Sequence, residues 1–207
     1  MTIPVEQLQN LDGFTIIELF QINLVPNIHF NTFQNFIGGP HTTIYRFHNG
    51  TNEINTEIVW DGDIYTPVAC KAEGFETGNN TTMARPTLTF ANVGGAISTI
   101  LEIVNNNIKA QFGNTSVNDL QRAEVVRIRT LAEFLDNANF TGNNPYGTPD
   151  PTKELERQEF LINKKIVENN QICSFELVNT IDIEDLQLPR LQITKDRFPA
   201  VGSFVFQ

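Results

Sequence analysis

A chain of 207 residues, 40% hydrophobic and 18% charged, holds enough apolar matter for one large domain or two small ones, and its composition excludes charge-driven disorder. Its formal net charge of −10, with no block of Lys or Arg, excludes the counterion-releasing patch that tight nucleic-acid binding needs. An acidic surface still suits a channel that DNA must pass without sticking.

No run approaches the roughly 18 apolar residues of a membrane helix, and Met1 to Gln9 lacks the basic start and apolar stretch of a secretion signal. The expectation is a protein made and kept in a cytosol, at least until assembly. Cys70 and Cys173 form neither a disulfide framework nor a C-x-x-C metal pair, and read as small buried hydrophobes.

In chain order, Pro4 to Leu11 predicts a short N-terminal helix, with Pro4 in its first turn and Gly13 as a stop. Phe14 to Val25 partly alternates around β-branched residues and predicts a strand that Pro26 ends. Asn27 to Pro40 reads as a long loop anchored by Phe30, Phe33 and Phe36. Strand patterns follow at Thr42 to Phe47, Glu57 to Trp60 and Ile64 to Ala72, with Asp61 and Gly62 as the centre of a turn.

Ala84 to Phe90 alternates and predicts another strand. The main helix is expected at about residues 94–107, since Ile97, Ile100, Leu101 and Val104 share a face between Gly94-Gly95 and an Asn run at 105–107. Ala123 to Leu135 reads as a strand whose two faces carry Val126, Ile128 and Thr130 against Val125, Arg127 and Arg129. A long Asn/Gly/Pro-rich loop at 136–157 follows, functional or flexible by its length. Gln158 to Val167 and Gln171 to Val178 predict two strands around a turn at Glu168-Asn169-Asn170, and 188–207 is a C-terminal extension.

Chemistry is sparse. Asp61 and Asp63, with Asp12 or Glu57, have the residue types of an acid–base pair, but turn formation explains the two turn acids more simply. Asp182, Glu184 and Asp185 lack the spacing of a calcium loop. His29, His41 and His48 have no local zinc spacing, no serine sits in a G-x-S-x-G elbow, and neither Gly38-Gly39 nor Gly94-Gly95 extends to a phosphate loop. N-x-[ST] matches at Asn49, Asn79, Asn80, Asn114 and Asn139 read as turn and loop asparagines. Arg127 and Arg129 fit two readings equally: partners for acids of a neighbouring subunit, or a solvated strand face. No catalytic, cofactor-binding or metal-binding residue is assigned, and an enzyme is not expected.

Three blocks together carry a family resemblance: EIVWDGDIYTPVACKAEGFE (Glu57 to Glu76), ARPTLTFANVGGAIS (Ala84 to Ser98), and RIRTLAEFLDNANF with the Asn/Gly/Pro loop after it (Arg127 to Pro151). With the later ICSFELV strand, their order and spacing resemble the minor tail protein L family of lambda-like phages. The resemblance implies a mainly β fold, an antiparallel barrel or sandwich related to tail-tube and hub domains, flanked by the main helix. It implies one hub domain over 1–207, which two β subdomains sharing sheets would also satisfy.

It further implies a virion component at the tail tip. There a ring, expected as a homotrimer, would join a tail-tube terminator or distal tail protein to the central tip protein, and would line the channel for passing DNA. Arg85, Pro86, Phe90, Arg127 and Arg129 are the candidates for subunit contact or structural support, with the helix face around Ile97 and Leu101. The lambda-type protein carries a C-terminal cysteine-rich region similar to an iron–sulfur module, which needs about four thiolates. The two cysteines here lie in strand patterns outside any such region, so no cofactor is carried over. The expectation is a shorter lineage, or a module supplied by another protein. A β-rich receptor- or carbohydrate-binding module is the alternative reading, and a tail-associated hydrolase the third.

Overall fold

The structure, a computed structural model, describes residues 16–30, 43–50, 56–75, 85–113 and 118–179. The expected N-terminal helix, most of the 27–40 loop with Phe33 and Phe36, His41, the acids at 182–185 and the 188–207 extension lie outside the described residues.

Among the described residues nine strands form one sheet: β1 (Ile16–Asn23), β2 (Ile44–His48), β3 (Ile58–Trp60), β4 (Asp63–Pro67), β5 (Cys70–Glu73), β6 (Thr87–Ala91), β7 (Glu124–Leu131), β8 (Gln158–Glu168) and β9 (Ile172–Val178). Their order is β3-β4-β2-β1-β7-β8-β9-β6-β5. The mainly β expectation with one main helix is met. One correction is needed, since β2 and β4 run parallel and the sheet is mixed; among the described residues the hydrogen-bonded order does not close into a barrel.

The sheet nonetheless curls onto itself. β2 and β6 stand five strands apart in the order, which would separate them by about 24 Å if the sheet were flat. Yet the rings of Phe47 and Phe90 meet edge to face at 4.7 Å. β8, between the two halves, carries two register shifts, between Ile162 and Lys164 and between Lys165 and Val167, and such irregularities coil a strand locally.

The predicted run Ile64 to Ala72 is where the curl is joined. It breaks after Pro67 into β4 and β5, which lie near opposite ends of the order. Of the two linking residues, the Val68 N–H donates to the His48 carbonyl at 3.0 Å, and the Ala69 carbonyl accepts from Ala91 N–H at 2.8 Å. One corner of chain therefore bonds to both halves of the sheet.

The curl creates two apolar layers. Within it, Phe20, Phe47, Phe90 and Phe175 pack with Leu101, Val104 and Ile108 of the helix α1 (Ala96–Phe112). On the opposite face of β1 and β7, Ile17, Leu19, Ile128 and Leu131 pack under Ile58, Trp60 and Tyr65 of the β3–β4 hairpin and under Phe134 and Leu135. β1 and β7 are thus covered on both faces over most of their length.

Two element ends differ from the sequence reading. α1 continues through the Asn run to Phe112 because the helix-disfavouring side chains find tertiary partners. Asn107 Nδ2 donates to the His29 carbonyl at 2.9 Å, and Asn105 Oδ1 accepts from the N–H of Asn118 and Asp119 at 3.2 and 3.0 Å. Gly113, at φ +62°, ends it, its N–H donating to the Lys109 carbonyl.

β7 stops at Leu131, short of the expected Leu135, and a 3-10 turn follows at Ala132–Phe134. The turn lets Phe134 and Leu135 join the second apolar layer. Asn144 Nδ2 then donates to the carbonyls of Ala132, Glu133 and Leu135 at 3.2, 3.0 and 3.0 Å, which ties the 136–157 loop back onto the sheet.

Candidate functional site

The block Arg85 to Ser98 has a structural reason for nearly every residue. Pro86, without an N–H, is buried just before β6, and its carbonyl accepts from Leu177 N–H at 2.8 Å. Phe90 is fully buried between Phe47 and Phe175. Asn92, 1% exposed, is the pivot. Its Oδ1 accepts from the N–H groups of Ile97 and Ser98 at 3.1 and 3.3 Å, satisfying two of the unpaired donors that begin α1.

Asn92 Nδ2 donates to Ser98 Oγ at 2.8 Å and to the Asn169 carbonyl at 2.7 Å, binding the helix start to the β8–β9 turn. Gly94 and Gly95, at φ +74° and +73°, reverse the chain between strand and helix. A Cβ at either would meet nothing within 4 Å, so the need for glycine lies in the backbone conformation alone.

A polar chain continues from this pivot along α1. Ser98 Oγ donates to Glu168 Oε1 at 2.7 Å, and Lys165 Nζ reaches Glu168 at 2.6 Å and Asp119 at 2.7 Å. Burial opposes the Lys165 charge, but the two carboxylates hold its pKa above the ordinary value. Lys165, and after it Ser98, holds the Glu168 carboxyl below the usual range. A serine that donates to so weak a base is not activated as a nucleophile, and the cluster's evident work is to pin α1 against β8.

Arg85 lies at the outward face of β9, 3.5 Å from Glu176, which also accepts from Asn163 Nδ2 at 2.9 Å and stands 3.4 Å from Lys164. The Asn163 hydrogen bond, then the cations Lys164 and Arg85, hold the Glu176 carboxyl low. Ile97 and Ile100 border an apolar cleft of about 360 Å³ against Tyr45, Phe47 and Val68, and Leu101 sits in the core.

Arg127 and Arg129 share the inner face of β7. Arg127 is taken within the chain: its guanidinium pairs with Glu18 of β1, bonds Gln158 Oε1 at 3.0 Å, and stacks 4.8 Å from the centre of the Phe75 ring. Sequence reading missed Glu18, Gln158 and Phe75 because they reach Arg127 only through the pairing of β1, β7 and β8 and the packing of the β5 end. Asn92 left a local trace, an Asn ahead of a Gly-Gly pair and a helix pattern.

The other candidates serve the fold. Asp61 and Gly62 form the expected turn, at φ +54° and +76°, and Asp63 pairs with Arg46 at 2.9 Å. His29 is fully buried: Nδ1 accepts from Val25 N–H at 2.9 Å, and Nε2 donates to the Gln121 carbonyl at 3.0 Å. Burial pushes its pKa down despite these bonds. Buried His48 bonds the Thr56 carbonyl. Burial, then the charge of Glu18, pushes the Cys70 thiol to about 12, and burial, then Glu168, pushes Cys173 to about 11. Two protonated thiols inside one apolar core do not fit an iron–sulfur cluster.

The profile of a family described as phage minor tail protein L matches residues 37–201. The chain belongs to the phage minor tail protein L family. It is therefore a structural component of a phage tail, and the matched region takes in every strand but β1, as well as α1. It is similar to the tail tip protein L of Escherichia phage lambda, 33% identical over 106 residues, which is 51% of this chain and 40% of that protein. The aligned part thus spans about two-fifths of the relative's length.

Proposed function

We propose that the chain is a non-enzymatic hub subunit of the phage tail tip, assembled head to tail into a ring that joins the tail tube to the central tip protein. The observation that carries this reading is the family match over residues 37–201, together with the tail-tip name of the lambda relative. A homotrimeric ring would adapt a sixfold tube to a threefold tip, and head-to-tail contacts are the kind that close into such rings. The net charge of −10 suits a channel wall that repels the DNA backbone.

The fold supports a scaffold role. Its long 136–157 loop is tied down by Asn139 and Asn144, and its polar clusters hold elements together, so the subunit offers a rigid body to its neighbours. The chain would be made in the host cytoplasm and end in the virion, beside a tail-tube terminator or distal tail protein and the tip protein. Among the five candidate contact residues, Arg85 is exposed and Arg127 and Arg129 are part-exposed, with Arg127 already engaged within the chain, while Pro86 and Phe90 support the block from inside.

Mass spectrometry and electron microscopy of purified particles test this directly. The expected result is the chain at the tail tip in a copy number divisible by three. A chain absent from particles, and monomeric by light scattering both alone and with its tail neighbours, would end the reading.

A further inference from the structure

We propose that Arg129, beside the Arg127–Glu18 pair, is an open ion-pair site that receives a carboxylate from a second copy of this chain. The inference rests on the ring reading above and gives that ring one of its contacts.

β7 places Arg127 and Arg129 on one face, about 7 Å apart. The register sets Glu18 directly across from Arg129, yet the Glu18 carboxylate bonds the Arg127 guanidinium instead. Arg127 is also held by Gln158 and the Phe75 ring, so its position is fixed. Arg129 is left over. Among the described residues no carboxylate pairs with it, and its Nε, like that of Arg127, is shielded from water without a hydrogen-bond partner, so its outer nitrogens are the donors a partner can reach. Burial, then the like charge of Arg127, lowers its pKa, and the nearby Glu18 charge offsets them only in part.

Two cations and one anion leave this patch with one uncompensated positive charge, in a chain of net charge −10. The patch reaches solvent, since the Glu18 and Arg127 side chains are 31% and 13% exposed. A planar guanidinium with free donors matches a carboxylate in two-point geometry. With 24 acids against 14 Lys and Arg, a second copy has carboxylates in surplus, and a head-to-tail contact brings a different surface of that copy to the patch. A DNA phosphate is the poorer match. One open cation releases about one counterion, and the remaining acidic surface repels a polyanion.

The test is sedimentation of the full-length chain at low and high salt, for the wild type and the variants Arg129→Lys, Arg129→Gln and Arg129→Glu. Self-association is expected in the wild type, weakening with salt. Arg129→Gln should associate about thirtyfold more weakly or worse, as loss of one partner from a partly buried charge pair implies, with Arg129→Lys intermediate and Arg129→Glu monomeric. The thermal midpoint of Arg129→Gln as a monomer should hold or rise, because an unpaired, partly buried charge is removed.

A monomeric wild type, or Arg129→Gln and Arg129→Glu associating like the wild type, would overturn the proposal. So would wild-type binding of a short DNA duplex that Arg129→Glu abolishes without changing self-association, which would assign the site to phosphate. Particles containing the chain, with Arg129→Glu incorporated as well as wild type, would overturn this contact and leave the tail-tip reading standing. Absence of the wild-type chain from particles would end the tail-tip reading itself.

Discussion

Asn139 holds Val59 by both of its backbone groups. Its Oδ1 accepts from the Val59 N–H at 2.6 Å, and its Nδ2 donates to the Val59 carbonyl at 2.7 Å. A side chain thus stands where the next strand would pair, on β3, which ends the sheet among the described residues. This blocks the row of open donors and acceptors that makes an edge strand a template for aggregation. Asn139→Ala should cost about 1–3 kcal/mol through the two orphaned groups. A lowered urea midpoint, with more light scattering near the transition, is the expected outcome; an unchanged midpoint would show that water replaces the amide without cost.

Asn92 is the corresponding pin at the helix start. Asn92→Ala removes the acceptor for two N–H groups of α1 and the donor to the Asn169 carbonyl, so a loss of about 2 kcal/mol is expected. Helix-region circular dichroism should report fraying that sets in before the global transition. Asn92→Asp keeps the acceptors but brings a second carboxylate to Ser98 beside Glu168, and should rescue stability only in part. Full rescue would mean that capping alone is what Asn92 supplies.

How far the sequence was legible follows from such residues. The β3–β4 hairpin was readable because Asp61 and Gly62 carry their turn preference locally, and the buried face of α1 because helical spacing is local too. The true end of α1 was not, since Asn105 and Asn107 look like helix breakers until Asp119 and His29 arrive from distant segments. The 136–157 loop reads as functional or flexible from its length, and only the fold shows its asparagines bonding the backbones of Val59 and of Ala132 to Leu135. The Arg127–Glu18 pair needs the β1–β7 register, which no local pattern specifies.

Buried His29 makes stability depend on pH. Burial lowers its folded-state pKa below the ordinary 6.5, so the neutral ring is favoured only in the folded chain. Below about pH 6.5 the unfolded chain takes up the proton first, and stability falls as pH drops until the folded-state pKa is reached. It is fully present above that window. One such group contributes at most about 1.4 kcal/mol per pH unit. Urea unfolding between pH 7.5 and about pH 5 should show this slope, and His29→Gln, though less stable throughout, should flatten it. An equal slope in the variant would assign the dependence to other groups.

The two thiols offer a test of how tightly the curled sheet is closed. Cys70 begins β5, next to the corner that joins the two halves, and Cys173 lies in β9 within the same apolar layer. With pKa values of about 12 and about 11, their thiolate fractions at pH 8 are about one in ten thousand and one in a thousand, against about a quarter for a free thiol. Alkylation at pH 8 should therefore be slower than that of a free thiol by at least a hundredfold while the chain is folded, and complete at both residues in denaturant. Cys70 reacting fast while Cys173 stays protected would mean that the Val68–Ala69 corner opens by itself. Opening there would release β5 without loosening β8 and β9, because among the described residues β5 pairs with β6 alone. Equal protection of both thiols would instead make the corner part of one cooperative unit with the β6–β9 half of the sheet.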